Sequence, residues 1–118
     1  PYDLKLVAGD IEYVNRATQE ILNNVPIEFS LGQNYPNPFN PKTKMKYSLP
    51  RYAEVNITIY NVLGQEVVVL LNKQKEYGYH VISWNGNDEY GKQVASGVYF
   101  ARLTTESFTQ TKKMLLLK

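Results

Sequence analysis

The sequence predicts an all-β fold, and three observations carry this prediction. Apolar residues alternate with polar ones in successive short segments, which is the period of a strand with one buried face. Gly, Asn and Pro residues separate these segments at the spacing of a sandwich. Ten tyrosines accompany four phenylalanines and one tryptophan, and such rings suit half-exposed strand faces. We therefore expect a seven-stranded antiparallel immunoglobulin-like β-sandwich with an N-terminal hairpin extension.

The strands follow from the alternation in chain order. Residues 44–49 and 54–59 each show apolar side chains separated by polar ones, so each predicts a strand with one wet face. Residues 67–71 are continuously apolar, which predicts a strand covered on both faces, and Gly64 before them predicts a turn with positive φ. Residues 80, 82 and 84 form the inward row of a later strand, and residues 108–117 form the last one. The expected core side chains are Tyr47, Val55, Ile57, Ile59, Val67, Val69, Ile82, Trp84, Tyr99, Leu103 and Met114.

Residues 1–26 are interpreted as the tail of an upstream domain or as an extra β-hairpin with a linker, and residues 27–118 as the main domain. Residues 2–8 and 11–15 flank the turn signal Gly9-Asp10. A lone hairpin is marginal in water, so these apolar strands must pack against something. In the precursor we expect the hairpin to complete the sheet of the upstream domain. In the chain without that domain, we expect it to pair with an exposed sheet edge of the main domain, in the same or a neighbouring molecule.

The segment 34–41 reads Asn-Tyr-Pro-Asn-Pro-Phe-Asn-Pro. Its three prolines fix φ, remove three backbone donors and push the preceding residues toward extended geometry. The segment can be neither a helix nor a central strand. We predict a rigid, near-polyproline connector in which Tyr35 and Phe39 are available as anchors.

Composition excludes several classes of function. A net charge of +2, with the lysines dispersed, does not predict nucleic-acid binding. The absence of cysteine excludes disulfides, thiol nucleophiles and thiolate metal sites. No run approaches the roughly 20 apolar residues of a membrane span, and the start lacks the apolar core of a signal peptide. We expect a piece of a longer precursor whose signal peptide lies upstream.

No catalytic or metal site is predicted. His80 is the only histidine of the sequence, so we interpret it as structural rather than as a base or ligand. The loop 85–91 is rich in Asn, Asp and Gly, which suits either a tight turn or a calcium site, and the sequence leaves this alternative open. The scattered carboxylates define no catalytic pair. We expect neither enzyme activity nor a cofactor.

Several motifs occur in a fixed order along the chain. The proline segment is followed by Asn-Val-Leu-Gly-Gln-Glu-Val at residues 61–67, by Trp-Asn-Gly at 84–86 and by Ala-Ser-Gly-Val-Tyr-Phe at 95–100. The sequence ends Lys-Lys-Met-Leu-Leu-Leu-Lys. From Phe29 to Lys118 this set resembles the C-terminal sorting domain, type A, of the type IX (Por) secretion system of Bacteroidetes and related bacteria.

The resemblance implies a non-catalytic signal that directs an attached upstream cargo domain from the periplasm to the outer-membrane translocon. A sortase-like peptidase would then remove the signal and leave the cargo at the cell surface or released. Processing is expected between about residues 21 and 30, in a joint that includes Asn23, Asn24, Val25 and Pro26. The residues that match the sorting motifs are Pro36, Asn37, Pro38, Phe39, Gly64, Gln65, Gly97, Tyr99 and Lys118.

The alternative is a spacer or carbohydrate-binding immunoglobulin-like module of a secreted multidomain enzyme. Small sandwiches also serve as adhesion domains and as the flagellar-hook-cap-like immunoglobulin domain, and fold does not decide between these uses. A sorting signal must lie at the C-terminus of its protein, so the position of this domain at the end of the sequence favours the sorting signal. Glycan binding through exposed Tyr or Trp residues would favour the carbohydrate-binding module. Neither the cargo nor the oligomeric state follows from the sequence.

Overall fold

The computed structural model describes residues 25–118, and these form two packed antiparallel sheets. The seven strands are β1 (Ser30–Leu31), β2 (Thr43–Leu49), β3 (Ala53–Tyr60), β4 (Glu66–Lys75), β5 (Gly78–Trp84), β6 (Gly97–Thr104) and β7 (Thr109–Leu116). The first sheet has the order β1-β2-β5 and the second the order β4-β3-β6-β7. The predicted immunoglobulin-like sandwich is confirmed, whereas the predicted hairpin at residues 2–15 lies outside the described residues. Within residues 25–118, no helix is long and apolar enough to cross a membrane.

The core lies between the two sheets because each strand turns its alternate apolar residues toward the other sheet. In β3, Val55, Ile57 and Ile59 are fully buried, as the alternation predicts. The buried core also contains Phe29, Leu31, Phe39, Met45, Tyr47, Leu49, Ala53, Val67, Trp84, Tyr99, Ala101, Leu103, Met114 and Leu116. Ile82, which we expected in the core, is only partly buried and packs against its border.

The interpretation of β4 as a strand covered on both faces is wrong. β4 is the edge strand of the second sheet, and Val69 is 41% exposed rather than part of the core. Two register shifts in its pairing with β3 leave Val67 and Leu70 without a partner opposite them. Each bulge shifts the alternation of side chains between the two faces by one residue. Simple alternation of apolar and polar residues would therefore not keep the inner face apolar along β4, whereas a continuous apolar run does.

The outer face of β3 departs from the sequence expectation at one residue. Thr58 was predicted to lie on a wet face, yet it is 2% exposed. β3 is a central strand, and Thr58 lies between Val69 of β4 and Arg102 of β6 in the register. Neighbours on both sides cover a short side chain, and the Thr58 hydroxyl donates to Asn56 Oδ1 at 2.6 Å.

The sandwich has two ends and two sides that matter for function. One end, which we call the motif end, is formed by residues 32–42, 61–65, 85–99 and 117–118. The other, which we call the opposite end, is formed by residues 25–29, 50–52, 76–77 and 105–108. The closed side joins β1 to β7, where the Leu31 amide donates to Gln110 Oε1 at 2.8 Å. The open side carries the free edges of β4 and β5.

Candidate functional site: the motif end of the sandwich

The proline segment connects the two sheets through its backbone. Tyr35 donates to the Lys44 carbonyl at 2.8 Å and accepts from the Lys44 amide at 3.0 Å, which extends the first sheet. Phe39 donates to the Leu115 carbonyl at 3.0 Å and accepts from the Leu117 amide at 3.0 Å, beside β7 of the second sheet. The prolines lack N–H groups, so the amides of Tyr35 and Phe39 supply the segment's backbone donors to the two sheets.

The segment is not the near-polyproline connector that we predicted. Residues 36–38 and 40–41 form bends, whereas a polyproline helix is extended throughout. The two predicted anchors also differ, since Phe39 is 2% exposed and Tyr35 is 82% exposed. Phe39 therefore anchors the segment in the core, whereas Tyr35 presents its ring to solvent.

Three aromatic rings pack in sequence beneath the motif end. The Phe39 ring centroid lies 5.6 Å from that of Trp84, and the Trp84 centroid lies 5.3 Å from that of Tyr99 in an edge-to-face arrangement. The polar atoms of this cluster are satisfied, because Trp84 Nε1 donates to the Asn87 carbonyl at 2.9 Å and the Tyr99 hydroxyl donates to the Ala95 carbonyl at 2.7 Å. Burial raises the pKa of the Tyr99 phenol. The cluster thus couples three of the motif-end loops.

A buried polar network fixes the start of the proline segment, and sequence reasoning missed it. Asn34 is 3% exposed, and its Nδ2 donates to the Pro36 carbonyl and to Thr43 Oγ1, both at 3.0 Å. The Thr43 hydroxyl donates to the same carbonyl at 2.8 Å. Asn37 contributes separately, since its Oδ1 accepts from the Leu115 amide at 3.0 Å. An asparagine two residues before a proline was the available signal, because its side chain can bond to nearby backbone.

Gly64 and Gln65 belong to the tight turn between β3 and β4. Asn61 Oδ1 accepts from the amides of Leu63 at 2.9 Å and Gln65 at 3.0 Å, so one side chain holds the turn. Gly64 has a φ of 80°, as predicted, and its amide donates to the Asn61 carbonyl at 3.0 Å. The tip of this turn is apolar and exposed to solvent, since Val62 is 66% and Leu63 is 77% exposed.

Gly97 and Lys118 lie together at the end of the second sheet. Gly97 opens β6 opposite Leu116 of β7, and the Lys118 amide donates to Ser96 Oγ at 3.0 Å. The predicted sorting residues therefore all lie at the motif end. Direct contacts unite the proline segment with the terminal strand and, through Trp84, with Tyr99. Gly64 and Gln65 make no such contact among the described residues, although Asn61 of their turn lines a groove together with Tyr99.

The loop 85–91, the candidate calcium loop, is organised by Asp88. Its Oδ1 accepts from the amides of Tyr90 and Lys92, each at 2.9 Å, as in a turn stabilised by an aspartate side chain. In the part of the chain that the structure describes, no three acidic or histidine side chains cluster as metal ligands would. His80 lies near the other end, stacked on Tyr47 at 5.0 Å with its Nε2 2.9 Å from the Glu76 carbonyl.

The described part of the predicted processing joint lies at the opposite end. Pro26 is buried, Ile27 is 80% exposed and Glu28 is exposed. Phe29 then fixes the chain by stacking on Phe108 at 5.5 Å. Asn23 and Asn24 lie outside the described residues, so cleavage in this joint stays a prediction.

Comparison with models of known families shows the family to which the chain belongs. The family model of the FlgD Ig-like domain matches residues 37–107, which is more than half of the sequence. The chain belongs to the FlgD Ig-like domain family. The match begins inside the proline segment and stops before β7, so this FlgD Ig-like domain adds the closing strand and the terminal residues to the matched region. The comparison with curated protein sequences gave no match.

The solved structures that resemble this FlgD Ig-like domain include two proteins of one organism. One is dimeric latent PorU from Porphyromonas gingivalis, with 20% identity and a TM-score of 0.62, covering 78% of this chain and 10% of PorU. The other is PorZ of the same organism, described as an essential bacterial surface component of the type-IX secretion system, with 20% identity and a TM-score of 0.51. It covers 76% of this chain and 11% of PorZ. At this identity the likeness shows the shared fold, and the chain spans about a tenth of either protein.

Proposed function

We propose that this FlgD Ig-like domain is a non-catalytic C-terminal sorting domain of the type IX secretion system. It addresses an upstream cargo domain to the outer-membrane translocon, and a sortase-like peptidase then removes it. The cargo passes through the periplasm and ends at the cell surface or outside the cell. Two findings support the proposal: the resemblance of the ordered sequence motifs, and a shared fold with PorZ, which is described as a type-IX component.

The observation that carries the proposal is the separation of the two ends. Every residue that matches a sorting motif lies at the motif end, whereas the chain enters from the upstream region at the opposite end, at Val25 to Phe29. β6 contains 8 residues, so the ends lie about 27 Å apart. A cargo attached at the opposite end therefore leaves the motif end free to dock on a large receptor.

Some residues of the motifs are buried and stabilise the motif end, whereas others are exposed and available for contact with a receptor. Phe39 and Tyr99 are buried and shape the end from within. Val62 and Leu63 are exposed at the tip of a turn that Asn61 holds rigid. Exposed apolar side chains on a preorganised turn contribute little to folding, and they suit the apolar anchor of an interface. We assign receptor contact to this turn.

The experiment joins a periplasmic reporter to the N-terminus of residues 1–118 and expresses it in a host that contains a type IX system. The reporter should appear outside the cell. The double variant Val62→Ser and Leu63→Ser should retain it in the periplasm, because the apolar tip is lost while the turn bonds from Asn61 remain. Thermal unfolding checks that the variant is folded.

The matched control is Tyr77→Ser, because Tyr77 is also an exposed apolar residue in a turn, 54% exposed, but lies at the opposite end. It should be exported like the parent. Retention of the parent fusion, or equal export of both variants, would contradict the proposal. Mass spectrometry of the exported cargo tests processing, with a new C-terminus expected between about residues 21 and 30. Cargo that still ends at Lys118 would contradict the removal step.

A further inference from the structure

The free edge of β5 presents a defined set of backbone groups on the open side. In β2, Lys44 bonds with Tyr35 in both directions and the Lys46 carbonyl accepts from Gly32 at 2.7 Å, so these residues bond away from β5. Backbone groups alternate in direction along a strand, hence Met45 and Tyr47 bond to β5. The N–H and C=O groups of alternate β5 residues then point outward; these residues are Tyr79, Val81 and Ser83. Within residues 25–118, no backbone hydrogen bond reaches them.

The edge of β5 lacks the features that protect other edges. Free edges are normally protected by charged residues, proline or bulges. β4 has two bulges and carries Glu66, Lys73 and Lys75, and the Glu89 amide caps its Val67 carbonyl at 3.2 Å. β5 reads Gly-Tyr-His-Val-Ile-Ser-Trp and pairs with β2 without a register shift. It is thus a regular template for one more strand.

The core is also incompletely covered beside this edge. Ile82 of β5 and Val68, Leu70 and Leu71 of β4 are apolar residues that remain only partly buried. All four lie on the two strands of the open side. A strand added to β5 would place its inward side chains against them, so these side chains should be apolar.

The outer face of the first sheet indicates the charge of the missing strand. Tyr79 is 64% and Val81 58% exposed, and Lys44 and Lys46 lie beside them on β2. Across the described strands of this sheet no outward residue is acidic, and in residues 25–118 neither lysine forms an ion pair. The outward side chains of an added strand should therefore be acidic.

We propose that residues 10–14 of the same chain, Asp-Ile-Glu-Tyr-Val, pair with the free edge of β5 as an eighth strand. The apolar Ile11 and Tyr13 alternate with the acidic Asp10 and Glu12, which meets both requirements over residues 10–13, and Val14 follows on the face of Asp10 and Glu12. Residues 1–24 contain four acidic and two basic residues, opposite in sign to the lysines of β2.

The length of the connection permits this pairing. The ten residues from 15 to 24 can span up to about 33 Å. Three strand spacings separate β1 from a strand beyond β5, or about 14 Å. The connection also begins at the correct end of the sheet. Ser30 at the start of β1 pairs with Ser48, and Ser48 pairs on its other side with Tyr79 near the start of β5, so both lie at the opposite end. The pairing is independent of the proposed secretion function.

Residue-resolved amide hydrogen exchange on the complete 118-residue chain tests the proposal. The amides of Tyr79, Val81 and Ser83 should exchange at least about 100-fold more slowly than unstructured amides, because strand pairing protects them. In the variant Ile11→Lys with Tyr13→Lys, that protection should be lost. The amides of His80 and Ile82 should be unchanged, since they bond to β2 and report that the sandwich is folded.

A control variant, Thr18→Lys with Asn23→Lys, adds the same charge outside the proposed strand and should keep the protection. From the other side of the pair, Val81→Pro removes one outward donor and should unprotect the amides of Asp10 and Glu12, because the residues that bond to Tyr79, Val81 and Ser83 have their side chains on the same outer face. Rapid exchange of the three edge amides in the parent, or protection that survives the Ile11 and Tyr13 changes, would overturn the proposal. Protection lost on dilution would also overturn it, because the strand would then come from a second copy.

Discussion

Phe39 provides a direct measure of what the proline segment contributes to stability. Phe39→Ala removes a ring that is 2% exposed and packs on Trp84 at a centroid distance of 5.6 Å. Burial of a Phe side chain is worth about 1.5–3 kcal/mol, an aromatic pair adds about 0.5–1.5, and the remaining cavity costs more. We expect a loss of about 3–5 kcal/mol in the free energy of unfolding.

The assay is urea unfolding at 25 °C, followed by the fluorescence of Trp84, the single tryptophan of the sequence. With a slope of about 1.5 kcal/mol per molar urea, the midpoint should fall by about 2–3 M. The backbone bonds of residue 39 to Leu115 and Leu117 persist in the alanine variant, so the change isolates the ring.

Tyr35→Ala is the matched control for Phe39→Ala. Tyr35 is the other aromatic residue of the proline segment and keeps its two backbone bonds to Lys44, but its ring is 82% exposed. Its replacement should change the free energy of unfolding by less than about 0.5 kcal/mol. Equal losses in the two variants would refute the assignment of Phe39 as the core anchor of the segment.

Two further predictions concern backbone conformation and pH. Gly64→Ala should cost about 1–2 kcal/mol from its φ of 80° alone, whereas Gly86→Ala, at a φ of 78°, should cost more because its Cβ would lie 3.1 Å from the Pro41 carbonyl oxygen. Equal urea midpoints for the two would contradict this steric argument. Burial raises the pKa of Tyr47 and Tyr99 above 10.0, so the unfolded chain loses these protons first. Stability should hold below about pH 10 and decline above it, and Tyr47→Phe should reduce the decline in urea midpoints measured from pH 8 to 11.

The sequence predicted the elements whose pattern is local. β2 and β3 follow from strict alternation, and Gly64 marks its turn, because a single residue there determines the backbone conformation. β4 was misassigned because its continuous apolar run has two physical explanations. A strand buried on both faces and a bulged edge strand require the same residues, and the bulges depend on pairing with β3.

The local sequence did not predict which residues of the proline segment are buried and which are exposed. Tyr35 and Phe39 are the two aromatic residues of the proline segment, and nothing in the local sequence indicates which of them is buried, so both were predicted as anchors. What separates them is contact with β7, as in the bond between Asn37 and Leu115, which are 78 positions apart. Partners at that separation leave no periodic signal in the segment itself, and the same holds for the buried Asn34, whose partner Thr43 lies beyond the prolines.

The division between buried and exposed motif residues makes stability and export separable measurements. Phe39 supports the motif end from inside, so its loss should lower both the free energy of unfolding and export of a fused cargo. Val62 and Leu63 stand on a turn that Asn61 holds without them, so their change to serine should lower export while stability stays within about 0.5 kcal/mol of the parent. If export followed stability alone across these variants, the motif end would be required only for folding, and receptor contact at the turn would be refuted.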